Sequence, residues 1–384
     1  MRKRFIPPKI LILFFGLILF DGCITSFEPK IEKYDNLLVV DGLLTNIPGT
    51  CKVSLSRTYP YDQKHKKVEK KASVKIIDDL GSVTFLTDND NGIYLPEDTN
   101  FVGIAGRKYK TLITTANGDI CESGFEELKK PVDIGNLYYN VGKNRDGLYE
   151  LNIFVDTNDP LEKACYYSWD YNETWEFSVP YASQSVYLPE SKICYNDVAS
   201  RKILIESTRD YIDDRVIKFP LYSVSNSTNR LSIKYSVLVI QYVLTEKTYE
   251  FYKNLKNINE NTGTLFDPTP VILTGNMLSI SSPGQPILGN FQVSGASEKR
   301  IFIHREELPA DWDIPTEYEF CKGDLLNNKT DRFRIDSLIR NGWAVMDTVF
   351  SQERDTLIGL VITRGCFDCT TKGKIQKPDF WDEK

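Results

Sequence analysis

The sequence predicts a mainly β protein: a small N-terminal β-sandwich of immunoglobulin-like or transthyretin-like type, then a larger β-rich domain with one amphipathic helix near 246–259. Three observations predict it. Short segments alternate apolar and polar residues with period two, the mark of half-buried strands. Turn residues, such as Asn91-Gly92 and Asn117-Gly118, punctuate those segments. Aromatic residues reach 12%, with 21 Tyr and 20 Phe, a composition that suits strands.

Taken in order, the chain opens on basic residues, Arg2, Lys3, Arg4 and Lys9. The apolar run "ILILFFGLILF", Ile10 to Phe20, follows, and then Asp21, Gly22 and Cys23. A charged start, a short apolar stretch and a small residue before the cut define a secretory signal. The run is shorter than a membrane span of about 20 residues. Gly22 directly before Cys23 is the arrangement of a bacterial lipoprotein signal, although Asp21 departs from the small or apolar residues preferred there. Residues 1–22 are therefore expected to be removed. Cys23 would carry acyl chains, each buried CH₂ adding about 0.8 kcal/mol of membrane attachment. Residues 23–36 then read as a tether.

"CKVSLS" alternates cleanly, with Cys51, Val53 and Leu55 on one side. "KASVKIIDDLGSVTFL" reads as strand, turn at Asp79-Leu80-Gly81, strand, and "NGIYL" and "GRKYKTLITTANGDICES" add further strands. These place the small sandwich at 37–127. Near Pro131 a second domain begins, 128–384, divisible near 245–260. "LYELNIFVDTNDP", "KACYYSWDYNETWEFSV" and "RLSIKYSVLVIQYVL" are its strands. The pattern then changes: Phe251, Tyr252, Leu255 and Ile258 recur at helical spacing, with Thr245 placed to cap the helix and Glu246 in its first turn. A loop around Cys321, a polar stretch and the strand "TLIGLVITR" lead to the terminus.

The formal net charge is −6, and loss of residues 1–22 removes four cations and one anion, moving it to −9. Such a surface argues against nucleic acid, which needs clustered Lys and Arg. The densest basic stretch, "KHKKVEKK" from Lys64 to Lys71, contains a glutamate and reads as a solvated loop.

Several stretches together resemble a family of Bacteroidota outer-membrane lipoproteins catalogued as a domain of unknown function. They are "VVDGLLTN" with "VSLSRT", "ASVKIIDDLGSVTFL" with "GIYL", "YYSWDYNETWEF", "TGTLFDPTPVILTGN" with "PILGNFQVS", and "CFDCTTKG" with "KPDFW". The resemblance spans about residues 36–381. It implies an outer-membrane location and a gene placed beside that of a TonB-dependent receptor. It implies no catalytic mechanism.

The candidate sites are few. Seven cysteines follow Cys23, an odd number in an export compartment that permits disulfides. Zinc would need more ligands than Cys366 and Cys369 can gather, since His65 and His304 stand alone. A redox catalyst would open a helix on its CxxC, and Gly373 and Pro378 forbid one. Cys366 and Cys369 therefore read as structural staples, with Cys321 the preferred partner and Cys194 the next. A closed loop of about 45 residues would contribute roughly 3–4 kcal/mol. Cys51 and Cys121, in one small sandwich, are a further candidate pair. "TDNDNG", with Asp88 and Asp90, fails the spacing of a calcium loop and reads as a turn. "DTNDP", Asp156 to Pro160, has too few carboxylates for a calcium site alone. No G-x-S-x-G, P-loop, G-x-G-x-x-G or H-E-x-x-H occurs. No cofactor or metal is expected. The reading is a lipid-anchored, non-enzymatic binding or accessory partner of a TonB-dependent uptake receptor, with segments near Trp169, Trp175 and Trp343 as contact guesses. The alternatives are a carboxylate-dependent hydrolase of glycans or peptides and a structural or adhesion module.

Overall fold

A computed structural model describes residues 36–59, 67–161, 164–179, 193–261, 273–314, 321, 324–327, 330–341, 343–351, 356–366 and 368–382. Residues 1–22, Cys23 and His65 lie outside them. The protein is mainly β, with a sandwich-like, nearly closed first sheet. Among the described residues no helix is long and apolar enough to cross a membrane.

The first sheet begins with β1 (Leu38–Leu44), β2 (Lys52–Arg57), β3 (Lys67–Val68), β4 (Ser73–Asp78), β5 (Val83–Asp88), β6 (Ile93–Pro96), β7 (Lys108–Thr114), β8 (Ile120–Ser123) and β9 (Glu126–Glu127). Period-two alternation sends Val40, Leu55, Ile76 and Ile113 into one core. The expected turns are made: Asp78 accepts from the backbone N–H of Leu80 and Ser82, with Gly81 at φ +87°, and Gly118 turns β7 into β8 at φ +91°.

The basic stretch corrects the sequence reading where it is described. Lys67 and Val68 pair with β2 instead of looping through solvent. The alternation of β2 points Arg57 inward, and Glu69 answers it with a buried ion pair, Nε to Oε2 at 2.5 Å. A guanidinium turned into a core requires such a partner.

The next elements are β10 (Ile134–Lys143), β11 (Tyr149–Asn158), β12 (Tyr166–Ser178), β13 (Ile193–Ala199), β14 (Leu204–Ser207), β15 (Arg215–Ser225), β16 (Lys234–Val243) and helix α1 (Glu246–Asn261). β10, β11 and β15 form one sheet. β12 and β16 lie at the heart of another, bordered by β13 and β14. The two pack over one core, where Leu151, Ile153 and Val155 meet Tyr167, Trp169, Tyr235 and Val237. Its buried Gln241 is fully used: it accepts from Trp169 Nε1 at 2.8 Å and from Thr157 Oγ1, and donates to the Val132 carbonyl at 2.8 Å. Thr245 caps α1 by accepting the Thr248 N–H at 3.3 Å, and the helix packs on β12 and β14.

The chain then returns to the first sheet. β17 (Met277–Ser279) pairs with β8, and β18 (Leu288–Val293) pairs in parallel with β1. Residues 37–127 therefore supply nine of the eleven strands of that sheet, and residues beyond 272 supply two. The two newcomers stand at opposite ends of the strand order and meet each other, so the sheet nearly closes. Asn276 fastens the seam: Oδ1 accepts the Phe291 N–H at 2.9 Å, and Nδ2 donates to the Phe291 carbonyl at 2.8 Å. β19 (Gly295–His304) continues directly into the other sheet beside β16.

A third, three-stranded sheet follows: β20 (Asp324–Asn327), β21 (Trp343–Ser351) and β22 (Thr356–Thr363), with helix α2 (Arg332–Arg340) before β21. The sequence showed only a polar stretch where α2 lies. Arg332, Arg334 and Arg340 mask its apolar spacing, and Phe333 on it is almost fully exposed.

Gly289 sits at φ +90°, and a Cβ there would lie 1.8 Å from the Val40 carbonyl oxygen. Backbone cannot yield as a side-chain tip can. Gly289→Ala should cost about 3 kcal/mol or more in urea unfolding of the purified chain. A variant within about 0.5 kcal/mol of wild type would refute the seam as a tight β1–β18 contact.

Candidate functional site

The terminal cysteines form two disulfides, Cys321–Cys366 and Cys194–Cys369, which close separations of 45 and 175 residues. Cys369 and Cys194 are wholly buried. Between the second bridge and the end, the segment lies along β13: Tyr195 and Lys374 exchange backbone hydrogen bonds at 2.8 and 2.9 Å. Gly373 is needed here, because a Cβ would meet Phe177 and the Tyr195 carbonyl at 2.7 Å. Trp381 completes the dock. It is buried, donates Nε1–H to Glu176 at 2.8 Å, and sets its ring edgewise to Tyr195 and Phe302. Arg300 stacks over Phe380 at 3.5 Å.

The other sequence candidates part company. Cys51 and Cys121 are unbonded buried thiols, which corrects the proposed pairing. β2 and β8 are not neighbours; β6, β5, β4 and β7 lie between them in the strand order. Burial pushes both thiols up to about 12. Trp169 and Trp175 are core residues of β12, not contact residues in loops, because aromatic bulk is what spaces the two sheets. Trp343 opens β21, half-buried. His304 ends β19 and is exposed.

Neither carboxylate-rich loop gathers its oxygens on one point. Asp88 accepts from the N–H of Lys71 and of Asp90, in a turn where Asp90 and Gly92 have positive φ. Asp156 braces a bulge by accepting from the Lys218 N–H at 2.7 Å, while Asp159 caps the next turn through Leu161 and Ala164. Among the described residues no group of three or more His, Cys, Asp or Glu is arranged to hold a metal ion.

A cleft of about 710 Å³ lies where the first sheet meets the second body. It falls at the boundary that Pro131 marks in sequence. Gly106 and Glu127 border it from the first sheet, the 129–133 link crosses it, and Asn158, Leu161 and Val243 close the far side. Its volume suits a small ligand or a short chain segment. Val132, Ala164 and Val243 give it apolar wall; Glu127, Lys130 and Asp133 stand exposed at the rim. The ionic groups deeper in are consumed by structure. Lys129 donates to the Ala164 carbonyl at 3.3 Å, and Asp159 is held by its turn. Behind Ala164, Asp214 accepts from the Cys165 N–H and the Tyr167 hydroxyl, both at 3.0 Å, and from Thr208. Cys165 has its thiol raised by burial and then by the Asp214 charge, the reverse of an activated nucleophile. Of the cleft's own carboxylates, Asp159 is thus fixed as an acceptor, while Glu127 and Asp133 face solvent at the rim. The cleft's position was hidden in the sequence, because its walls come from four separated stretches.

These features define a mainly β, disulfide-stapled protein whose nearly closed first sheet is joined to a second layered body by a cleft. Residues 24–300 match the family described as a domain of unknown function, DUF4249, and the chain belongs to that family. The matched span includes the closing strands β17 and β18 and ends before the disulfide-held terminus. A comparison with curated proteins returned no match.

Three outcomes follow from the cysteines. Iodoacetamide at about pH 8.5 should label Cys165 first, and Cys51 and Cys121 only after denaturation, read by peptide mass spectrometry. Their ordinary value is 9.0 and the folded value about 12, so the native state retains protons that the unfolded chain has lost. That stability is complete below about pH 9 and is lost as pH rises towards 12; Cys51→Ala should flatten the alkaline fall in melting temperature. Separately, Cys369→Ser should lower stability by about 2–5 kcal/mol in urea. An unchanged midpoint would show that the Cys194–Cys369 bridge adds nothing to the docking that the remaining contacts of the terminus supply.

Proposed function

We propose that this protein is anchored to the outer membrane by acyl chains on Cys23 and serves as a non-enzymatic accessory partner of a TonB-dependent nutrient uptake receptor. The observation that carries the reading is the junction cleft, with apolar walls, charged rim and inner carboxylates engaged in turns, which favours recognition over acid–base chemistry. The basic start, the Ile10–Phe20 run and the Gly22-Cys23 step support the anchor. The resemblance to Bacteroidota lipoproteins encoded beside such receptors supports the partner. A stable contact of this kind would bury about 1,200–2,000 Å².

The test is an affinity pull-down of the tagged protein from crosslinked native outer membranes, with partners identified by mass spectrometry. Near-stoichiometric recovery of a TonB-dependent receptor is the expected result. A clean preparation without a channel would remove the partner reading. The anchor is tested independently: Cys23→Ala should move the protein from the membrane pellet to the soluble fraction, and retention in the pellet would refute lipid attachment at Cys23.

A further inference from the structure

The outward side of β1, β2 and β18 faces the outward side of β12, β14 and β16 beneath α1. Apolar contacts make most of this junction: Tyr166, Ile205, Tyr242, Leu244 and Ala296 form a core of their own, with Leu43 and Tyr252 against it. Beside that core the junction is not filled. A pocket of about 180 Å³ remains, and its charged lining is Asp41 and Lys52 from the first sheet, Asp170 from β12 and Lys202 just before β14.

All four residues are exposed to solvent, and among the described residues only Asp170 of the four is hydrogen-bonded through its side chain. Asp41, Lys52 and Lys202 make no hydrogen bond or ion pair among the described residues. Asp170 accepts from the Ser200 hydroxyl at 3.2 Å and from Tyr242. Its carboxyl lies above the usual range, first through partial desolvation of an otherwise exposed residue and last through Asp41; Ser200, Lys52 and Tyr242 pull the other way. Two carboxylates on one pocket repel, and the lysines on its lining, Lys52 next to Asp170 among them, offset that repulsion. Neutral groups complete the lining: Tyr252 donates to Gln292 at 2.7 Å, which fixes both side chains.

The lining has two negative and two positive groups and sums to zero. A bare cation would satisfy the carboxylates and leave the ammonium groups facing it. An anion would meet the reverse. A neutral dipolar molecule satisfies both. The space equals that of about six waters, below the range for larger organic ligands. We propose that the junction pocket binds a zwitterion of amino-acid size, its ammonium meeting Asp41 and Asp170 and its carboxylate meeting Lys52 and Lys202. The assignment stands apart from the channel-partner reading and holds or fails without it.

The experiment is isothermal titration calorimetry on the full chain in detergent. The probes are glycine, L-alanine, L-serine and glycylglycine, with D-glucose, calcium chloride and sodium phosphate alongside. At least one zwitterion should bind with a Kd between about 1 µM and 1 mM, and Asp170→Asn and Lys52→Met should each weaken it about tenfold or more. Lys202→Met, at an exposed side chain, supplies the same test if Asp170→Asn does not fold. Binding of only glucose, calcium or phosphate would overturn the proposal. So would silence to about 10 mM, or an affinity that none of the variants alters. Cleavage of glycylglycine, lost in Asp41→Asn, would overturn it in favour of a hydrolytic site. A recovered channel in the pull-down with no zwitterion bound would leave the partner reading intact and this one refuted.

Discussion

The parallel pairing of β1 with β18 is the constraint on which the rest of the structure depends. Parallel neighbours cannot be joined by a hairpin and need a crossover. Here the crossover is everything from β2 to β17: the rest of the first sheet, the strands β10 to β16 and α1. The same junction is tied again by Asn46, whose amide donates to the Ala296 carbonyl and whose Oδ1 accepts the Ala296 N–H, across 250 residues of sequence. Gly289 permits the approach, since only a residue without Cβ fits at positive φ against the Val40 carbonyl. Closing so long a loop costs little more entropy than closing a shorter one, because the cost grows only with the logarithm of length. The contact therefore binds two layered bodies into one interdependent unit and creates the spaces between them.

Those spaces differ from the interiors in how charge is used. Inside the second body, Glu173 receives the Tyr235 hydroxyl and Arg230, and Tyr222 joins the same chain at 2.6 Å. Asp159, Asp214 and Gln241 are likewise satisfied by turns and side chains. Buried polar groups are expected to be so paired. The junction pocket falls outside that rule, because Asp41, Lys52, Asp170 and Lys202 on its lining are exposed to solvent.

The terminus shows a different solution to a similar need. A segment with little regular structure cannot bury enough apolar surface to order itself. Two disulfides, one backbone bridge and one buried tryptophan hold it instead: Cys369 and Lys374 reach β13, Trp381 reaches β12, and Cys366 reaches the loop at Cys321. The family match ends at residue 300, before this stapled end begins.

Local patterns were legible in the sequence because their causes are local. Alternation in "CKVSLS" specified a strand, Asn117-Gly118 a turn, and Thr245 with the Phe251 to Ile258 spacing a helix, since each rests on residues within a few positions of one another. The staple role of Cys366 and Cys369 was legible too, by what their neighbours could not do. The non-local features were not. The "TGN" and "LGNF" stretches, Thr274–Asn276 and Leu288–Phe291, look like turn residues until β17 and β18 are seen to meet. Trp169 and Trp175 look like contact residues until two sheets close over them. Asp41, Lys52, Asp170 and Lys202 are scattered acids and bases among many. Sequence alone determined the class of fold, the strand faces and the first helix, because periodicity and turn chemistry are properties of short stretches. Only the tertiary structure decided which strand closes the first sheet and which charges share a pocket, because both depend on surfaces brought together from residues far apart in the chain.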